Sequence, residues 1–272
     1  MRALCFAMKQ QINTEQEFDR CVKEIGGNKV SDSLSGSPNF DNADYIFEKY
    51  NVIAELKCLT EDKSEDDVIK IKTDDIFSRY FKESGFVVFG TTWISSDQLS
   101  PNCTKEISEL YRKPIKGAMK KANKQIRETK ENLNKESAHG LLILVNDKNK
   151  AVDPSRINWI LAETFKRDSL SSINSVLFIT LNMLATHPAI NNDMLVWVEG
   201  YRDPNFICPQ GLFDELRVSV NKHWENLIGQ EIRLIKLKIT ILSMKLSTKK
   251  HNNKVRRKTK SAASLCFYFP VT

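Results

Sequence analysis

Residues 140–146 read GLLILVN, an apolar run with no alternation before its final Asn. The run is far short of the roughly 20 apolar residues that span a bilayer. A stretch this brief and this apolar fits a strand covered on both faces, because a strand with one wet face alternates polar and apolar residues. Such strands sit inside sheets that carry helices on either side, so this stretch points to an α/β chain.

The surrounding segments supply the other layers. Phe18, Cys21, Val22 and Ile25 recur at i, i+3, i+4 and i+7 and predict an amphipathic helix over 14–25. Thr14 with Glu17 reads as its capping box, and Gly26-Gly27 as its stop. Strands are predicted at 43–48 and 51–58, joined by a tight turn through Glu48 to Asn51, and again at 85–93. Between them, 60–84 reads as an acidic helix with Val68, Ile71, Ile76, Phe77, Tyr80 and Phe81 as core contacts. Pro114 opens a long helix whose buried face carries Ile115, Met119, Ala122, Ile126 and Leu133. Asp153-Pro154 starts a helix to Phe165, strands follow at 175–182 and 194–202, and a last helix covers 212–228. Trp159, Trp197 and Trp224 fall within this apolar periodicity and read as core. The expectation is one α/β domain over residues 1–230, a mixed central sheet flanked by helices with a helical insertion. A basic extension, 231–272, partly disordered, follows it.

Charge narrows the partners. The net charge is +7, yet residues 245–260, KLSTKKHNNKVRRKTK, hold eight Lys or Arg and no acid; taking those eight from +7 leaves −1 for the rest. The tail reads either as a solvated extension or as an arm that grips phosphates, with Arg256 and Arg257 among its cations. The start, MRALCFAMKQ, has six apolar residues before Lys9, short of a secretory core of about 7–15. The six cysteines (Cys5, Cys21, Cys58, Cys103, Cys208, Cys266) are scattered without a CxxC pair, which fits reduced thiols in a cytoplasmic protein with no membrane partner. The four histidines are isolated and show no zinc spacing.

The chemistry is concentrated in residues 42–62, NADYIFEKYNVIAELKCLTED. Strand interiors disfavour Asp, Glu and Lys, and charges are rarely buried unless paired or bound to an ion. Yet Asp44, Glu55 and Lys57 lie within the apolar runs. Side chains two apart share a strand face, so Glu55 and Lys57 point the same way, and the hairpin brings Asp44 towards them. Two converging carboxylates repel unless a proton or cation lies between them. Mg²⁺, which favours one or two carboxylates with waters and phosphate oxygens, suits such a pair, and Mn²⁺ is its substitute. The lysine is suited to orienting a water or neutralising charge on a phosphoryl group.

Asp44, ten intervening residues, then Glu55-Leu56-Lys57 resembles the D-x(n)-E-x-K signature of the PD-(D/E)xK nuclease superfamily, the restriction-endonuclease-like fold. The predicted order of helix, three strands, helix and strand over residues 14–146 is similar to that family's core. The literal Pro-Asp is absent, since Pro38 lies six residues before Asp44, and Asp41 is a rival for the first acid. The resemblance implies metal-dependent hydrolysis of a nucleic-acid phosphodiester, DNA ahead of RNA, in restriction, phage defence or repair. It implies Asp44, Glu55 and the Leu56 carbonyl as metal ligands and Lys57 as the residue that positions water. An acid on the first helix is implied as well; Glu17 is the best match, Glu24 its rival, and Glu17 reads equally as the capping-box partner. Gln125 on the long helix, with Lys121 one turn before it, would support the phosphate.

That helix carries nine basic residues against three acids between Arg112 and Glu136. Lys116, Lys120, Lys121, Lys124 and Arg127 would meet the phosphate backbone, or they form a solvated face with i,i+4 pairs such as Lys124–Glu128. A homodimer is compatible with this reading. The alternative function is a non-catalytic nucleic-acid-binding or protein-interaction protein that keeps the nuclease fold.

Overall fold

Side chains that alternate along the strands sort the apolar residues onto two sheet faces, and a layer of helices covers each. The computed structural model describes residues 12–34, 39–62, 66–84, 92–95, 99–147, 149, 152, 154–181, 185–186, 193–203, 207–229, 233–240 and 268–271. The chain runs α1 (Thr14–Glu24), β1 (Asn28–Lys29), α2 (Val30–Ser33), β2 (Tyr45–Phe47), a 3₁₀ turn (Glu48–Tyr50), β3 (Val52–Leu59), α3 (Asp67–Ser84) and β4 (Thr92–Ser95). It continues through α4 (Pro101–Asn132), β5 (His139–Asp147), α5 (Pro154–Arg167), β6 (Ser175–Leu181), β7 (Ala185–Thr186) and β8 (Asp193–Tyr201). α6 (Gln210–Ile228), β9 (Arg233–Thr240) and β10 (Tyr268–Val271) complete it.

The main sheet is mixed and eight-stranded, in the order β1-β2-β3-β5-β6-β8-β7, with β9 beside β8. β1, β2 and β3 run antiparallel, β5 and β6 follow parallel to β3, and β8 turns antiparallel to β6. The GLLILVN run is the core of β5. Leu141, Ile143 and Val145 pack on the side of α1 and α6, whereas Leu142 and Leu144 pack on the side of α4 and α5. All five are fully buried, at about 1.5–3 kcal/mol of burial each. Gly140, at the start of this strand, is required by proximity: a Cβ there would lie 1.8 Å from the Ser172 carbonyl oxygen.

Several local expectations change. The N-cap of α1 is Asn13, whose side chain accepts from the Gln16 amide, so Thr14 and Glu17 form no capping box. Thr14 is instead in the first turn and donates to Asp147 Oδ2 at 2.8 Å. The stop is as expected: Gly26 has φ +77°, its amide bonds Lys23 O, and the Gly27 amide bonds Val22 O.

α4 begins thirteen residues before Pro114, at Pro101, with Ser100 as its side-chain cap. Cys103, Ile107, Tyr111, Ile115 and Met119 recur every fourth residue and are all buried. Their combined burial exceeds the roughly 3 kcal/mol cost of an interior proline. Pro114 lies on the exposed side, away from that stripe.

Of the strand expected at 85–93 only residues 92–93 are described, and they are not in the main sheet. They belong to β4, which pairs with β10 in a separate two-stranded sheet, while β5 occupies the place beside β3; residues 85–91 lie outside the described residues. On α3, Ile76 and Phe77 are buried, but Val68 and Ile71 are 57% and 62% exposed. At about 100° per residue they fall well away from the face formed by Ile69, Thr73, Ile76, Phe77 and Tyr80. The sheet continues past residue 230, because β9 runs parallel to β8 along 194–201. The basic stretch 245–260, with Arg256 and Arg257, lies outside the described residues. Among the described residues no helix is long and apolar enough to cross a membrane.

Candidate active site

The hairpin of β2 and β3 builds the centre of the site. Asn51 closes the turn in the left-handed region, φ 49°, which Asn tolerates better than most residues. The resulting register sets Tyr45 opposite Ala54, so Asp44, one residue earlier, lies beside Glu55. Ile53 and Glu55 face α4, whereas Val52, Ala54 and Leu56 pack towards α1. The Asp44 amide donates to Glu55 Oε2 at 3.1 Å, and the Leu56 amide donates to Asp44 Oδ2 at 2.8 Å. In a strand the N–H and C=O of one residue face the same edge, so the Leu56 carbonyl also opens towards Asp44.

Lys57 sits over this pair. Its amine makes an ion pair with Glu55 Oε1 and donates to Gln125 Oε1 at 3.0 Å. Gln125 in turn donates from Nε2 to the Asn42 carbonyl at 2.9 Å. Asp44, Glu55, Lys57 and Gln125 are therefore one hydrogen-bonded set.

Glu55 is fully buried. Burial first, and the neighbouring Asp44 charge second, push its carboxyl up to about 8, against the opposing pull of Lys57. Burial also raises Asp44, against its bond from Leu56 and the Lys57 charge. At neutral pH Glu55 is therefore mostly protonated, and a proton lies where two converging carboxylates would repel. A hard divalent cation suits the place of that proton, with Asp44, Glu55 and the Leu56 carbonyl as oxygen donors. Among the described residues no group of three or more His, Cys, Asp or Glu could hold a metal ion.

Glu17 and its rival Glu24 do not reach it. Glu17 meets His223 Nε2 at 2.6 Å and Arg20 at 2.8 Å, and Glu24 accepts from Ser219 at 2.7 Å. Both lie on the flank of α1 that packs against α6. Asp19, on the other flank, accepts from the Tyr45 hydroxyl at 2.8 Å and pairs with Lys29 at 2.5 Å, and its charge helps raise Asp44. The helical wheel carries this signal: about 100° per residue puts Glu17 and Glu24 on one side of the Phe18–Val22 stripe and Asp19 on the other. What the wheel lacks is which side faces the hairpin.

The cations of α4 are largely engaged with acids of the same chain. Lys116 and Lys120 both meet Asp168 at 3.1 Å; Lys124 meets Asp41 at 2.8 Å; Arg127 lies 3.9 Å from both Glu128 and Glu131. Lys121 is exposed, and its charge, after that of Lys124, holds the Asp41 carboxyl low. The solvated-face reading of this helix therefore describes most of its cations. Asp41, the rival first acid, is the partner of Lys124.

Beyond Lys57 the same face of β3 leads through Leu59 to a cavity of about 230 Å³ lined by Cys58, Leu59, Thr60, Tyr111, Pro114 and Ile115, among others. It lies past the carboxyl ends of β3 and β5, where open α/β sheets place their ligands. Cys58 is no nucleophile here, since burial pushes its thiol up to about 12. No protein-family model, curated protein or solved structure matches the chain.

Proposed function

We propose that the protein is a divalent-metal-dependent phosphodiesterase that cuts nucleic acid, DNA ahead of RNA, on a restriction-endonuclease-like fold. The observation that carries this reading is the convergence of Asp44 and Glu55 with Lys57 on the same strand face as Glu55, at the end of a short hairpin. Asp44 and Glu55 would hold Mg²⁺ or Mn²⁺, with the Leu56 carbonyl beside them. The cation, when bound, supplies Lewis-acid polarisation of a phosphoryl oxygen.

The chain's own groups do the rest. Glu55, ionised when it serves as a ligand, would hold the Lys57 amine less closely than it does here. Lys57, anchored to Gln125 Oε1, would then serve the space in front of the two carboxylates. There a fixed ammonium can orient an attacking water and offset negative charge developing on the phosphoryl oxygens. Gln125 acts through Lys57 and the Asn42 carbonyl, holding the amine at a set distance from the acids.

A purely binding protein would gain nothing from carboxylates placed to face phosphates. The test is incubation with plasmid, linear duplex, single-stranded DNA and RNA in Mg²⁺, Mn²⁺ or EDTA. Cleavage with a divalent cation, absent in EDTA and in Glu55→Gln, is the expected result. No cleavage of any substrate, or cleavage insensitive to EDTA, overturns the proposal.

A further inference from the structure

Asp44 lies one residue before the ladder of β2, whose pairing begins at Tyr45, and its carbonyl accepts from the Val30 amide at 2.9 Å. The residues before it, 39–43, have no regular secondary structure. Something other than the sheet must fix them, and the groups that do so are side chains of α4. The Asp41 amide donates to Glu128 Oε2 at 3.1 Å, the Asn42 carbonyl accepts from Gln125 Nε2 at 2.9 Å, and the Ala43 amide donates to Thr129 Oγ1 at 2.7 Å. Three consecutive residues are thus held by positions 125, 128 and 129, which share one helix face through i+3 and i+4 spacing. Lys124 closes the same contact through the Asp41 carboxylate.

Within this clamp Thr129 is the deepest member. It is fully buried, and its partner is the peptide one residue before Asp44. A β-branched threonine inside a helix is a poorer helix former than alanine, so its place here is not explained by helix preference. A buried amide must find an acceptor, and in this position the Thr129 hydroxyl is the acceptor that Ala43 finds.

We infer that Thr129 is a positioning residue for Asp44, setting where the acid stands relative to Glu55. The assignment rests on the reading of Asp44 as a metal ligand and adds to it a residue that neither the D-x(n)-E-x-K pattern nor the spacing of apolar residues marks. Gln125 joins the same clamp to Lys57, so one helix holds both the acid and the amine. Thr129→Val keeps the side-chain shape and removes the acceptor; the Ala43 amide must then move to find another, carrying Asp44 with it. Thr129→Ser keeps the acceptor.

The experiment measures Mn²⁺ binding by calorimetry on the full chain for wild type, Thr129→Val and Thr129→Ser. Ser219→Ala is the control, since it removes a buried hydroxyl that bonds Cys21 O and Glu24, between α1 and α6. Amide hydrogen exchange at Ala43 is followed in the metal-free proteins alongside. Loss of a group that orients a ligand typically weakens metal binding about 10- to 100-fold. That loss is expected for Thr129→Val, with Ser close to wild type, Ser219→Ala unchanged, and Ala43 exchange accelerated only in Thr129→Val. Wild-type affinity in Thr129→Val, or failure of Ser to restore it, overturns the assignment while leaving the metal site intact. Wild type that takes up no Mn²⁺ removes the metal-site reading itself, and this assignment with it.

Discussion

Asp44 and Glu55 position one another through the backbone: the Asp44 amide donates to Glu55 Oε2 at 3.1 Å, and the amide next to Glu55, that of Leu56, donates to Asp44 Oδ2 at 2.8 Å. Each acid therefore holds the strand that carries the other. The Glu55 carboxylate has a structural duty as well as a chemical one, and substitutions there separate the two according to whether they keep an acceptor.

Glu55→Gln retains an acceptor for the Asp44 amide and loses the charge. A ligand that binds only the folded state at 100 times its Kd stabilises by about 2.7 kcal/mol. Wild type should accordingly show a rise in thermal midpoint with Mn²⁺ that EDTA reverses, and Glu55→Gln should show none. Glu55→Leu should in addition lower the midpoint without metal, because the Asp44 amide loses its acceptor at a cost of about 1–3 kcal/mol. Thermal melts of the three proteins with and without Mn²⁺ check both halves.

Lys57→Ala should cut single-turnover cleavage by about 100-fold or more, the loss typical of removing one preorganised electrostatic group. Mn²⁺ affinity should hold or rise, since a competing cation leaves the carboxylates. Lys57→Arg should fall short of rescue, because a guanidinium places its donors differently. Loss of metal binding together with turnover in Lys57→Ala would assign the lysine to holding the site together instead.

The sequence makes the hairpin legible because charged residues at strand positions conflict with strand preference, and that conflict is local. Gln125 is legible only through the resemblance, and the structure does bring it to Lys57. Glu17 fails because helical periodicity gives the stripe and both its flanks but leaves open which flank faces the hairpin; Asp19 occupies the other one. The ion pairs of the α4 lysines are hidden from the sequence for a related reason. Asp168 and Asp41 are distant in sequence from the lysines they neutralise, and a charge count along one helix cannot contain them. Pro114 misleads because a proline's local effect is readable, whereas the burial of Cys103, Ile107 and Tyr111 that carries the helix past it is tertiary.

Gly140→Ala should be among the more damaging substitutions in the sheet. The new methyl would lie 1.8 Å from the Ser172 carbonyl oxygen and 3.1 Å from Ile126 Cγ2, in a place where backbone must move. The Gly140 amide and carbonyl also bond Asn174, at 2.7 and 2.8 Å, so that movement disturbs the turn before β6. Overpacking of this kind costs about 1–3 kcal/mol or more. Urea unfolding should show a lower midpoint at unchanged slope, whereas a midpoint equal to wild type would mean the two segments separate freely.

His139 gives the fold a defined weakness to acid. Its ring is largely buried at the start of β5, with Nε2 2.8 Å from Ser175 Oγ. Burial first, and the Lys130 charge second, push its pKa down to about 4, from an ordinary value near 6.5. In the fold the ring is neutral at pH 5, while in the unfolded chain it is mostly protonated at that pH. The unfolded state therefore binds more protons between pH 6.5 and 4, and linkage makes stability fall as pH drops through that window. His139→Gln, which does not titrate, should flatten this limb of the pH–stability curve even if it lowers stability at pH 7. Lys130→Met should shorten it, because removing the nearby charge lets the folded-state pKa rise towards its ordinary value. Urea midpoints at pH 7, 6 and 5 for the three proteins decide the matter. An acid limb equally steep in His139→Gln would assign the weakness to other groups.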